Sequence, residues 1–129
     1  MNLLLDTLFF IWAVSSPARM GEAARDAVAS AENQVFVSSA TVWEIAIKRA
    51  SGRLIFPAGR FDDLALRMGF EVLPILPAHA VVAGALPRHH GDLFDRMLIA
   101  QAMVEDLILV SVDAAVGRYD VRVFSAETR

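Results

Sequence analysis

His89-His90-Gly91-Asp92-Leu93-Phe94-Asp95-Arg96-Met97-Leu98-Ile99-Ala100-Gln101-Ala102-Met103-Val104-Glu105-Asp106-Leu107-Ile108-Leu109-Val110-Ser111-Val112-Asp113 is the stretch that decides the fold. An apolar helix opens near Asp92, and residues 107–112 follow as a brief, continuous apolar run of the kind that forms a buried parallel strand. Two acids stand where a charge is uncomfortable. Residues three and four apart share a helical face, so Asp95 lies above Leu98, Ile99 and Ala102, the side that packs inward. Burying an ionised carboxylate alone costs more than an ordinary contact returns, and a cation is therefore expected nearby. Asp113 stands at the carboxyl end of the strand, where open α/β sheets place their ligands.

Working outward, Pro87-Arg88-His89-His90-Gly91 is a loop that delivers Asp92 to the helix. Asp92 and Asp95 are spaced as in a capping box, so Asp92 reads first as an N-cap and second as a metal ligand. His89 and His90 read as solvated loop residues, with ligand or general-base roles as the alternative. Residues 77–86 form a helix opened by Pro77, and residues 70–75 a strand nearer the sheet edge, because Pro74 interrupts it. Residues 61–68 form a short amphipathic helix. Before it, Ser38 and Ser39 offer N-cap hydroxyls to a helix running to Lys48 or Arg49. That helix carries a single acid, Glu44, among Val42, Trp43, Ile45, Ala46 and Ile47. Its plain explanation is an i,i+4 ion pair with Lys48, worth about 0.2–0.5 kcal/mol on an exposed face.

At the start of the chain, residues 2–7 read as a buried strand ending in Asp6, residues 7–14 as a helix stopped by Ser15-Ser16-Pro17, residues 18–31 as an alanine-rich surface helix, and residues 34–37 as a second buried strand. Asp6 reads equally as a helix cap and as part of a site. Past Asp113, residues 114–119 make a helical turn and residues 121–124 a closing edge strand. Alternating strands and helices predict one α/β domain over residues 1–129, with a mostly parallel sheet of about five strands.

The chain has 129 residues, no cysteine and a formal charge of -3. Disulfides, thiolate metal sites and a cysteine nucleophile are excluded, and a reducing cytoplasm fits. Hydrophobic residues make up 56%, above the usual ~45–50% of soluble domains, so a dimer face or a protein partner is expected. The apolar N-terminus lacks a basic segment and is interrupted by Asp6, so neither a signal peptide nor a membrane span is expected. The net charge makes no overall case for nucleic acid, although Lys48, Arg49, Arg53, Arg88 and Arg96 are available to line a local basic groove.

Asp6, Glu44, Asp95 and Asp113 each have a dull explanation, yet all four lie at strand ends or on apolar helical faces. Oxygen-only ligands suit a hard cation, Mg²⁺ or Mn²⁺, and such ions commonly serve phosphoryl chemistry by activating water and neutralising charge on a phosphate. A glycine-rich phosphate loop and a Gly-x-Ser-x-Gly elbow are both missing, which removes P-loop nucleotide hydrolysis and the usual serine hydrolases.

Leu3-Leu4-Leu5-Asp6-Thr7, Trp43-Glu44-Ile45-Ala46-Ile47-Lys48, His90-Gly91-Asp92-Leu93-Phe94-Asp95-Arg96-Met97-Leu98-Ile99-Ala100-Gln101-Ala102 and Ser111-Val112-Asp113 together resemble the four motif regions of PIN-domain ribonucleases, specifically the VapC-like toxins of bacterial toxin-antitoxin pairs. The resemblance implies a three-layer α/β/α fold, an acidic Mg²⁺ or Mn²⁺ site, metal-dependent cleavage of RNA, a small antitoxin partner and a homodimer. Carried over by residue, Asp6, Glu44, Asp95 and Asp113 match the acidic quartet, Asp92 an extra acid of this branch, and Thr7 and Ser111 nearby hydroxyls. Lys48 and Arg96 are candidates to hold a flanking phosphate. The chain departs from the pattern at Leu8, Gly91, Leu93 and Val116, none of which removes a carboxylate. Two other readings compete: a PIN scaffold that only binds protein, and a receiver-type signalling module, which would ordinarily show paired acids after the first strand.

Overall fold

A computed structural model describes residues 1–57, 59–89 and 91–124. Four strands, β1 (Asn2–Leu5), β2 (Gln34–Ser38), β3 (Glu71–Leu73) and β4 (Ile108–Val110), form one sheet in the order β3-β2-β1-β4. All three pairings are parallel. The chain thus steps outward from β1 to β2 and β3, then returns to the far side of β1 as β4. That reversal places a crevice at the carboxyl ends of β1 and β4, the position at which such sheets bind ligands.

The strand side chains alternate between two cores, as the pleat requires. Leu3, Leu5, Val35, Val37 and Val110 face one side and pack with Phe9, Phe10, Met20, Ala24, Leu64 and Ala65. Leu4 and Leu109 face the other and pack with Leu86, Leu98, Ile99 and Ala102. The first layer holds α1 (Thr7–Ser15), α2 (Glu22–Ala29) and α4 (Phe61–Met68); the second holds α5 (Pro77–Ala85) and α6 (Leu93–Glu105). Between the cores, α3 (Ser39–Ala50) contributes Ile45 to one and Ala40 to the other. The result is a three-layer α/β/α domain.

Side chains at the helix starts explain where the elements begin. Asp6, Ser38 and Asp92 sit in extended backbone before α1, α3 and α6, and each accepts a main-chain N–H of the first turn, which satisfies one of the donors a helix start leaves over. In α5 the imidazole of His79 does this work, its Nδ1 accepting the Leu76 N–H at 3.0 Å.

Two expectations need correction. The helix over residues 18–31 is instead a 3-10 turn, Pro17–Met20, followed by α2, because Gly21 at φ 81° breaks the helical path. The closing strand over residues 121–124 reduces to a single parallel bridge between Leu109 and Val123. Leu109 supplies both main-chain bonds there, to Arg122 and from Phe124, each 2.8 Å. Among the described residues the sheet therefore has four strands plus a bridge where about five strands were expected. No described helix is long and apolar enough to cross a membrane.

Candidate active site

The carboxyl ends of β1 and β4 and the starts of α1 and α6 open onto a cavity of about 320 Å³, with one side of α3 as its wall. Asp6, Thr7, Glu44, Lys48, Asp92, Asp95 and Asp113 all line it, with Leu8, Ile11 and Val112 as apolar neighbours. Five carboxylates from four well-separated segments thus share one concavity. Asp6 and Asp92 stand at helix N-termini, where the aligned peptide dipoles favour negative charge.

Asp6 is the most constrained of the five. It is buried, and its Oδ1 accepts the Phe9 N–H at 2.8 Å. Loss of hydration pushes its pKa above the ordinary 3.8, and the charges of Glu44 and Asp113 push the same way. The Phe9 N–H and a hydrogen bond from Ser111 oppose the rise without cancelling it. Ser111 also accepts the Asp113 N–H at 3.1 Å, so one hydroxyl links the ends of β1 and β4. Asp113 in turn caps the 3-10 turn Ala114–Arg118 by accepting the Ala115 N–H at 2.9 Å.

Both carboxylate oxygens of Glu44 are engaged. Lys48 Nζ donates to Glu44 Oε2 at 2.8 Å, the expected i,i+4 pair, while Oε1 accepts the Thr7 hydroxyl at 2.6 Å. Since Thr7 has one hydroxyl proton and spends it on that carboxylate, its 3.2 Å contact with Thr41 Oγ1 must be donated by Thr41. Thr41 escaped the sequence reading. Its position three residues before Glu44, on the same face of α3, was the available signal.

Asp92 accepts the Asp95 N–H at 3.0 Å, the cap expected of it, and both residues still line the cavity. His89 meets Tyr119 edge to face with ring centroids 4.7 Å apart and does not line the cavity. His90 lies outside the described residues.

Arg96 departs from expectation. Its guanidinium is buried and donates to the carbonyls of Pro87 (3.0 Å), Ala83 (3.1 Å) and Leu86 (2.9 Å). It tends the carbonyls at the end of α5 and faces a second, largely apolar cavity of about 330 Å³ lined by Trp43, Ile75, Phe94 and Met97. Three of its five N–H donors are taken by these carbonyls, and it does not line the carboxylate cavity.

The donor set suits a hard divalent cation: carboxylate and hydroxyl oxygens only, with negative charge in excess of the one lysine. Among the described residues no three of the acids are drawn together tightly enough to form a ready ligand cage. Asp6, Asp92 and Asp113 each turn one oxygen to a main-chain N–H.

A three-layer α/β/α domain with carboxylates gathered where its parallel sheet reverses is the class that fold and cavity define. Within that class the chain belongs to the PIN domain family, whose sequence profile matches residues 3–121. Its structure is similar to a chain in the crystal structure of VapBC2 from Rickettsia felis bound to a DNA fragment from their promoter. That match has 12% identity and a TM-score of 0.67, covering 97% of this chain and 98% of the other. A chain in the 2.2 Å structure of VapBC-1 from nontypeable Haemophilus influenzae is similar over the same shares, with 16% identity and a TM-score of 0.61. At these identities the likeness is one of fold. A comparison with curated protein sequences found no match.

Proposed function

We propose that the chain, as one PIN domain over residues 1–129, is a Mg²⁺- or Mn²⁺-dependent endoribonuclease and the toxin of a toxin-antitoxin pair. The observation that carries this reading is the convergence of Asp6, Glu44, Asp92, Asp95 and Asp113 on one cavity at the sheet's switch point in a PIN-family chain. Asp6, Glu44, Asp95 and Asp113 are the residues that would hold the cation, with Asp92 beside them as cap and further oxygen donor. Such an ion supplies a water acidic enough to attack at neutral pH and neutralises charge on the phosphate.

The chain's own residues do the rest. Thr7 and Ser111 orient Glu44 and Asp6 through their hydroxyls. Lys48, half exposed at the cavity, holds Glu44 and presents a cation to a flanking phosphate. Leu8, Ile11 and Val112 limit the water around the acids.

A small antitoxin and a homodimer belong to the same proposal. The VapBC neighbours support the first, and the exposed apolar side chains Trp43, Val81 and Leu93 support the second. We place the protein in the cytoplasm, where its RNA substrate is made. The test is RNA cleavage by protein stripped with EDTA and reloaded with Mg²⁺ or Mn²⁺. Wild type is expected to cut only when reloaded, and Asp6→Asn, Asp95→Asn and Asp113→Asn to fall to background while remaining folded. No cleavage by the reloaded wild type would refute the proposal.

A second reading, a catalytically silent PIN scaffold that binds protein, is favoured by the helix-capping engagement of Asp6, Asp92 and Asp113. Metal titration separates the two, because a cation that relieves the crowding of the acids raises the melting temperature and an unused cavity does not. Membership of the PIN family sets the receiver reading aside.

A further inference from the structure

Glu44 and Asp95 reach the carboxylate cavity from α3 and α6, helices with no connecting loop between them. Their separation is therefore set by how the two helices pack. Near the cavity, Trp43 and Phe94 meet edge to face with ring centroids 5.2 Å apart. In the interior, the Ser38 hydroxyl donates to Gln101 Oε1 at 2.5 Å, and both residues are fully buried.

These two contacts fix direction and register together. Ser38 against Gln101 and Trp43 against Phe94 mean that α3 and α6 run antiparallel. Glu44 comes six residues after Ser38, and Asp95 six residues before Gln101. At 1.5 Å per helical residue each acid stands about 9 Å from the hydrogen bond in the same direction. The bond brings the two carboxylates to one height, although neither Ser38 nor Gln101 touches the cavity.

A glutamine used only as filler in a core would be bettered by a leucine or methionine, since an amide is costly to bury unless its hydrogen bonds are met. Gln101 has them met at both ends. Its Oε1 accepts from Ser38, and its Nε2 donates to the Pro74 carbonyl at 3.3 Å and lies 3.4 Å from His79 Nδ1. Ser38 is itself anchored, because its Oγ accepts the Ala40 N–H at 2.9 Å and so caps α3. A displacement of Gln101 is thereby passed to the first turn of the helix that carries Glu44.

We infer that Gln101 is a positioning residue: its hydrogen bond to Ser38 sets the register of α3 against α6, and with it the Glu44–Asp95 spacing on which divalent-cation affinity depends. The inference rests on the metal-dependent reading proposed above. Outer hydrogen bonds that orient ligands change metal affinity by about 10–100-fold.

The experiment is calorimetric titration of the full chain with Mn²⁺ alone, without RNA, for wild type, Gln101→Met, Ser38→Ala and Leu64→Ala. Gln101→Met keeps the side-chain volume and removes the amide. Leu64→Ala opens a cavity in the other core and serves as a control for stability loss without register change. Gln101→Met is expected to bind Mn²⁺ about tenfold more weakly and Leu64→Ala as tightly as wild type. Should Gln101→Met fail to fold, Ser38→Ala, which removes a single hydroxyl, carries the same expectation. Unchanged affinity in a folded Gln101→Met or Ser38→Ala protein overturns the inference, and so does an equal loss in Leu64→Ala. Wild type that binds no Mn²⁺ overturns instead the metal-dependent reading beneath it.

Discussion

At Asp6 two demands conflict. The carboxylate caps α1 and lies beside Glu44 and Asp113, while burial strips its hydration. Its raised pKa fixes the sign of the linkage: the folded state holds the Asp6 proton more tightly than the unfolded chain, so the stabilising contribution is present below about pH 3.8 and is lost as pH rises through the elevated value. Asp6→Asn keeps the cap oxygen and removes the charge. In metal-free protein at pH 7 it is expected to raise Tm by roughly 2–5 °C, and in metal-reloaded protein to end cleavage. Melts in EDTA from pH 3 to 8 should show its advantage over wild type growing with pH; a constant or shrinking gap would contradict the assignment. Arg96 makes the opposite case, a charge with no part in the cavity. Arg96→Met strands three carbonyls and should cost about 2–4 kcal/mol by urea denaturation, without changing RNA affinity in whatever fraction stays folded. The acids were legible in the sequence because a charge on an apolar face is anomalous. The inward turn of Arg96 was not, since its acceptors are main-chain carbonyls at the end of α5 that no side-chain pattern reveals.

Among the elements, those bounded by local chemistry were read correctly. The helix expected over residues 61–68 is α4 itself, ended by Gly69 in the left-handed region at φ 76°. A β-carbon at Gly69 would meet no atom within 4 Å, so Gly69→Ala isolates the backbone preference. It is expected to lower stability by about 1 kcal/mol, measurable as a shifted denaturation midpoint with an unchanged slope. Misreadings fell where a backbone turn or a distant pairing decides. Alanine content argued for one helix across residues 18–31, but Gly21 turns the chain so that Met20 and Ala24 both reach the core. The stretch 121–124 alternates like a strand, yet among the described residues it pairs with β4 by a single bridge, at Leu109. Ser38 was legible as a helix cap but its bond to Gln101 was not, and His79 and Gln101 look unremarkable in sequence, because these partners lie in other elements.

For the molecule as a whole, an apolar content of 56% anticipated a partner. Trp43 and Leu93, 61% and 77% exposed, line the apolar cavity between α3, α5 and α6, and Val81 on α5 is 72% exposed. Sedimentation equilibrium is expected to give twice the chain mass of 14.1 kDa, and Leu93→Glu to return it to the single-chain value; a wild-type monomer at micromolar concentration would rule the dimer out. The strand order has a temporal side as well. β1 is synthesised first but is flanked by β4, so one edge of it stays uncovered until residues 108–110 emerge, and Asp113 follows later still. Until then the carboxylate cavity lacks one of its walls. On the ribonuclease reading proposed above, nascent chains stalled before residue 108 are expected to cut no RNA, because neither β4 nor Asp113 has yet been made.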